Sequence, residues 1–391
     1  MRKKSSTITK MIKSKLPQVG TTIFTVMSKL AADHKAINLS QGYPGFDCYP
    51  YLQDLVTKYM NEGYNQYAPM SGVPALRNRL AKKTLSVYDV DYDQEEEVTI
   101  VSGATEALYA AITAVVRPGD EVILLEPAYD SYEPAVRLNG GVPVYVALNI
   151  PDFSVDWEKV EKAITPKTRL IMVNTPHNPG GYVWTQNDID TLADLVRGRE
   201  IYIVSDDVYE HIVFEGKAHI PLFTHPELRK ITFACGSFGK TFHITGWKIG
   251  FCLAPKKLSA EFRKIHQFLT FSTVTPIQYA LADYMEDPSR YLYLRFFYEE
   301  KRDLFCKGLE STGLKFTPAE GSFFQCASYG HLSDESDYDL AVRMAKEVGV
   351  ACIPTSVFYH DKRDHKILRF CFAKEDNELE KALKLLQSGL F

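Results

Sequence analysis

The sequence predicts an α/β fold: a large domain on a mostly parallel sheet covered by helices, followed by a smaller α/β domain. Three observations carry that prediction. From residue 98 onward, short β-branched runs alternate with amphipathic stretches at the spacing of strand–helix units. These runs are mostly apolar, as strands of a sheet covered on both faces are. Beyond residue 290 the pattern changes to one long charged helix and a few short strands, which suits a second, smaller core. At 391 residues the chain is long enough to bury both.

Taken in order, Ile37-Asn38-Leu39-Ser40 reads as a strand too far from the main series to join it. Residues 1–40 are therefore expected as an N-terminal arm, with 17–40 packing on the small domain. In the large domain, 41–289, the first main strand is 98–101 and a helix of small and apolar residues covers 105–116. Arg117-Pro118-Gly119-Asp120 stops that helix, because proline and glycine both break helical backbone. Further strands are expected at 121–125, 142–148, 169–173, 201–205, 231–235 and 249–254. The small domain, 290–391, should hold a helix over 291–311, extended segments at 315–318 and 322–326, a helix near 338–348, and strands at 351–353 and 367–372. No internal repeat or low-complexity segment interrupts the series.

Composition narrows the function classes. A net charge of -4 argues against a nucleic-acid or anionic-membrane surface, and no apolar run has the ~20 residues that cross a bilayer. The seven cysteines are scattered without a CxxC pair, so buried free thiols in a reducing compartment are expected and no metal site. Arg2, Lys3, Lys4, Lys10, Lys13 and Lys15 lack the hydrophobic core of a secretory signal and read as a frayed terminal arm. A cytoplasmic protein is expected.

The chemistry is concentrated at strand ends. Lys240 follows the apolar run 231–236 on a Ser/Gly turn, a poor place for a solvated charge and a good one for a Schiff base, since desolvation frees an amine's lone pair. Ser102-Gly103-Ala104-Thr105 opens a helix, where free N–H groups and a hydroxyl make either a phosphate cradle or an ordinary cap. Asn174-Thr175-Pro176-His177-Asn178-Pro179-Gly180-Gly181 has loop composition. Asp206 and Asp207 end an apolar strand, where a carboxylate calls for a cation. By alternation, Arg369 shares a strand face with Ile367 and Cys371, which suits either a structural ion pair or an anionic ligand. No G-x-G-x-x-G fingerprint follows a strand, which disfavours a nicotinamide dehydrogenase.

The run Ser237-Phe238-Gly239-Lys240 with Gly246-Trp247-Lys248-Ile249-Gly250 resembles the lysine segment of class I/II aminotransferases, the fold-type I enzymes dependent on pyridoxal 5′-phosphate. Val204-Ser205-Asp206-Asp207-Val208-Tyr209 resembles the family's Ser-Asp-Glu-x-Tyr motif, with Asp207 in place of glutamate. Gly180 is a second, milder departure. The motifs stand in the family's order from about residue 17 to the C-terminus. Residues 17–24, 39–44 and 65–70 resemble the bacterial methionine aminotransferase branch, whose relatives are kynurenine/glutamine aminotransferases and cysteine-conjugate β-lyases.

The resemblance implies roles residue by residue. Lys240 would bind the cofactor and move the substrate's α-proton; Asp206 would partner the ring nitrogen. Tyr209 and Asn178 would contact the phenolic oxygen, and Tyr129 would stack on the ring. Gly103, Ala104, Thr105, Ser237 and Lys248 would hold the phosphate, with Lys248 standing where many relatives have arginine. Tyr67 would reach the phosphate of a neighbouring subunit, implying a homodimer. Arg369 would take the α-carboxylate, as Asn178 would in part. Phe24 and Tyr43 would border the substrate side chain, and Gly42 would leave it room. The substrates implied are an α-amino acid (methionine, aromatic or glutamine-like) and a 2-oxo acid. β-Elimination from a cysteine conjugate and a non-catalytic sensor on the same fold are the rival readings.

Overall fold

The computed structural model describes residues 12–390. Of the basic terminal arm expected over 2–15, residues up to 11 lie outside the described residues. In chain order the strands are β1 (Ile37–Asn38), β2 (Val98–Val101), β3 (Glu121–Glu126), β4 (Val142–Ala147), β5 (Thr168–Asn174) and β6 (Tyr202–Asp206), then β7 (Thr232–Ser237), β8 (Gly250–Leu253), β9 (Phe324–Ser328), β10 (Val350–Ala351), β11 (Ile353–Pro354) and β12 (Ile367–Cys371). Seven of them form the central sheet, in the order β2-β8-β7-β6-β5-β3-β4. Strands β3 to β7 pair in parallel, while β8 is antiparallel to both neighbours. All seven expected main strands are present. The residues of β2 and β8 are buried without a break, as helices on both faces require.

Strand β8 reverses direction for a local reason. A parallel return needs a crossover of a dozen residues or more, usually helical. The connection 238–249 barely reaches that length and has no helix to cross the sheet, only one helical turn, Phe238–Thr241, and a 3-10 turn, Thr245–Trp247. The chain doubles back, so Lys240 and Lys248 both lie at the carboxyl edge of the sheet. Gly250 pairs with Val101 on one side and Ser237 on the other. A Cβ there would stand 2.6 Å from the Gly236 carbonyl oxygen and 2.9 Å from the Ala104 nitrogen, so only glycine lets the two segments meet.

The remaining strands build the smaller unit. Strand β12 lies between β11 and β9, antiparallel to both, and β1 pairs in parallel with β10. The helix Ile23–His34 buries Met27 and Ala31 in a core shared with Met344, Ala345, Val348 and Phe370. Thr22 caps its first turn through Thr25 N–H, and Lys35 ends it in the left-handed region. Two expected helices differ in detail. The one over 291–311 divides into Ser289–Leu292 and Leu294–Leu309, and the one near 338–348 passes from α, Asp337–Arg343, to π, Met344–Val348. All seven cysteines are buried and free. Among the described residues no helix is long and apolar enough to cross a membrane, and no cluster of His, Cys, Asp or Glu could hold a metal ion.

Candidate active site

The carboxyl ends of β2, β3, β5, β6 and β7 face one cavity, the position that open α/β sheets reserve for ligands. Lys240 projects into it from the helical turn after β7. Its ammonium is buried and donates to the Gly42 carbonyl at 2.6 Å. Burial pulls it down to about 8, so far more of the amine is neutral near physiological pH than of an ordinary lysine.

Asp206 faces the same space from the end of β6. Its Oδ2 accepts from the Tyr132 hydroxyl at 2.6 Å, and its Oδ1 is buried without a partner. Burial raises this carboxyl to about 6, and a cation opposite Oδ1 would bring it down again. Asn174, paired in register with Asp206, donates to its carbonyl at 2.8 Å and accepts from Asn178 N–H at 2.8 Å. One asparagine thus ties the loop carrying Asn178 to the strand carrying Asp206. His177 braces the other side: Gly180 N–H donates to Nδ1, so Nε2 carries the hydrogen and donates to the Pro127 carbonyl. Burial holds this imidazole down at about 4.

Arg369 closes the cavity from β12, 1% exposed. Its Nη1 donates to Asn178 Oδ1 at 2.9 Å and Nη2 to the Ser40 carbonyl at 2.8 Å, while Nε has no partner. Among the described residues it enters no ion pair, which leaves an anionic ligand as the better of the two sequence readings. The Phe324 ring lies 4.0 Å beneath the guanidinium, with Phe24 and Phe358 each at 5.4 Å. These faces offset part of the cost of burying the charge.

Opposite stands the start of the helix Ala104–Val115. Gly103 caps it at φ 83 without a side-chain bond, so the first amides, on residues that line the cavity, are unclaimed by a side-chain cap. The Lys248 ammonium approaches within 3.5 Å of where a Cβ on Gly103 would stand. Thr105, Ser237, Tyr129 and Tyr209 also line this space. A buried amine, a carboxylate lacking a cation, a guanidinium lacking an anion and a free helix start are thus gathered in one cavity.

A profile of the family described as "Aminotransferase class I and II" matches residues 34–386. The chain belongs to the class I and II aminotransferases. It is 49% identical to methionine aminotransferase of Escherichia coli over 375 residues, covering 96% of this chain and 97% of that protein. It is 34% identical to kynurenine–oxoglutarate transaminase of Dictyostelium discoideum, covering 93% of each. The solved Escherichia coli methionine aminotransferase structure superimposes with a TM-score of 0.95 over 96% of this chain and 99% of that one. N-Succinyldiaminopimelate aminotransferase of Mycobacterium tuberculosis does so with a TM-score of 0.93 at 35% identity, over 96% and 99%. This chain is an aminotransferase, with the fold-type I architecture of its relatives.

Thirteen of the fifteen residues singled out from this aminotransferase's sequence line the cavity; Tyr43 and Tyr67 do not. Tyr43 is 46% exposed, beneath the Lys374 ammonium. Tyr67 is 84% exposed and meets the Phe271 ring edge to face. Gly42 lines the cavity but leaves no empty room, because a Cβ there would stand 2.8 Å from the Phe324 ring. Glycine is needed for Phe324 to lie under Arg369. Gly180 has a similar cause: Phe153 fills the space where a side chain would begin, at 2.2 Å. Asp207 is buried, accepts from Ser205 Oγ at 2.7 Å, and is pushed well up by burial.

Sequence reasoning missed Tyr132, Asn174, Gln41 and Phe324. Asn174 and Gln41 stand inside motifs already singled out, and Tyr132 lies one residue beyond a bend from Tyr129–Asp130. Only Phe324 had no local signal.

Proposed function

We propose that this aminotransferase moves the amino group of a neutral α-amino acid, methionine foremost, to a 2-oxo acid with pyridoxal 5′-phosphate as cofactor. The observation that carries the reading is the buried Lys240 amine sharing one cavity with the unpartnered Asp206 Oδ1 and the unpaired Arg369 guanidinium. The donor set fits the cofactor: an amine for its aldehyde, a carboxylate for its pyridinium, and free amides with Lys248 for its phosphate. When bound, the cofactor supplies a ring that withdraws electrons from the substrate's α-carbon.

The chain's own residues would divide the work. Arg369 holds the α-carboxylate, with Nε and the outer edges of its fork free to bond it. Asn178, already bound to Arg369 Nη1, fixes the rotation of that fork. Lys240 Nζ takes the α-proton as a neutral amine and carries it as an ammonium, a role that its lowered proton affinity suits. Asp206 stays ionised against a cationic ring nitrogen, with Tyr132 holding its second oxygen. Tyr209 and Tyr129 close the walls. Measuring oxo-acid formation from methionine by the cofactor-loaded protein tests the reading, and no product from any neutral donor would end it.

Donor preference follows from the cavity's charges. Its lining cations are Lys240, Lys248 and Arg369, each with a task already. The second carboxylate of aspartate would meet no further cation, whereas a thioether gains roughly 0.3–1.5 kcal/mol beside aromatic rings such as Phe24 and Phe324. Methionine is expected to exceed aspartate in kcat/KM in a side-by-side panel, and Phe24→Ala to raise KM for methionine more than for alanine. The 49% identity to a methionine aminotransferase points the same way.

A homodimer with shared sites, in the cytoplasm, completes the proposal. Tyr67 and Phe271, whose rings meet, are both exposed, and Phe268 is 87% exposed. In a dimer Tyr67 would reach the partner's phosphate. Tyr67→Phe is expected to weaken cofactor binding by roughly ten- to a hundredfold, by the loss of one hydrogen bond to a charged group, about 1.5–3 kcal/mol. Equilibrium titration checks it, and full activity of a sedimenting monomer would exclude the shared site.

A further inference from the structure

A carboxylate sits where it ought to spoil the anion site. Glu106 lies in the first turn of the helix Ala104–Val115, and its Oε2 accepts from Ser102 N–H at 2.5 Å. A negative charge in a first turn is drawn to the same positive helix end that attracts a phosphate. The two anions would also repel each other across a short distance of low-dielectric interior.

His266, fully buried on the helix Lys256–Leu269, resolves the conflict. Its Nε2 faces the Met70 carbonyl at 2.9 Å, and a carbonyl only accepts, so Nε2 carries a hydrogen. Its Nδ1 faces Glu106 Oε1 at 2.5 Å, and that contact needs one hydrogen between the two atoms. Whichever atom holds it, the pair has no net charge.

We propose that His266 is a positioning residue for the cofactor: by sharing one hydrogen with Glu106 it leaves the Ser102–Thr105 turn free of net negative charge and able to take a phosphate. The inference rests on the reading of that turn as the phosphate end of the cofactor site. It also explains why a buried histidine joins the Met70 loop to the helix start, outside the cavity. Neither residue lines the cavity.

The test compares the apoprotein's affinity for pyridoxal phosphate with that for pyridoxal, which lacks the phosphate. His266→Gln removes the charge partner, and Glu106→Asp keeps the charge but withdraws it from His266. Each should lower the preference for the phosphorylated ligand by about tenfold or more, from an unshielded like charge nearby. Glu106→Gln can accept from Ser102 and donate to a neutral His266 Nδ1, so it should keep the wild-type preference. The double variant E106Q/H266Q should recover what H266Q loses. A purely structural role would weaken both ligands alike and give no recovery. If H266Q and E106D keep the preference, or E106Q loses as much as they do, the proposal is overturned. Should H266Q fail to fold, E106D against E106Q decides alone. A wild-type protein with no preference for the phosphorylated ligand would instead defeat the cradle reading itself.

Discussion

Lys240→Ala is expected to end amino transfer while leaving a folded protein. Proton transfer by a positioned side chain is worth roughly 10²–10⁴-fold, and the same amine would also hold the cofactor, so a loss of at least ~10³-fold in kcat is expected. The fold should not suffer. Lys240 lies in one helical turn, where alanine is the better helix former, and its ammonium makes a single bond, to Gly42. The sign of the stability change depends on pH. The folded amine titrates near 8 and an ordinary lysine at 10.5, so between these values the unfolded chain binds more protons. Wild-type apoprotein should therefore gain stability relative to K240A as pH rises from 8 to 10.5, and bear the full cost of a buried charge below 8. Thermal melts of the two proteins across that range check it; parallel curves would show that the amine is solvated. Borohydride reduction of the cofactor-loaded protein followed by peptide mapping should find label on Lys240, and label on another lysine would remove it from the centre of the site.

Arg369→Met carries the second large effect, and again function and stability should part. Truncating one partner of a buried, hydrogen-bonded charge pair costs about 2–5 kcal/mol, so kcat/KM for amino acids should fall by roughly 30-fold to several thousand-fold. An amine without an α-carboxylate should lose little. The apoprotein should hold or gain stability, because Arg369 is a buried cation with no ion pair and an orphaned Nε, and methionine suits the Phe24, Phe324 and Phe358 surroundings. Freed of its partner, Asn178 would lose the bond that orients it. Arg369→Lys keeps the charge but not the fork and should fall between. Equal losses for substrates with and without a carboxylate would show that Arg369 serves only the packing.

Much of this site was legible because its parts are local. Lys240, Asp206, Asn178 and Arg369 each stand in or beside a strand whose apolar run marks where the chain leaves the core. The misplaced readings involved contacts between distant segments. The room expected above Gly42 is filled by Phe324, from a strand far later in the chain. Tyr43, one residue on, points elsewhere, and no local pattern distinguishes the two directions. His266 had no signal at all: a histidine inside an amphipathic helix reads as a packed side chain, and its partners Glu106 and Met70 lie on other elements.

By itself, then, the sequence determined the strand series and the order of the motifs, because period-2 and period-3.6 burial, helix stops and strand-end chemistry are written in neighbouring residues. It also determined the family, whose motifs are contiguous. Only the tertiary structure decided which unpaired atoms face one another. The direction of β8 is set by a return that carries no crossover helix, and it brings Lys240, Lys248 and the Ser102–Thr105 turn together across Gly250. The lone oxygen of Asp206, the open fork of Arg369 and the shared hydrogen of Glu106 and His266 exist only after that register is fixed. Their physical reason is common to all: a buried polar atom takes its partner from whatever packing brings within about 3 Å, and packing joins residues that the sequence keeps far apart.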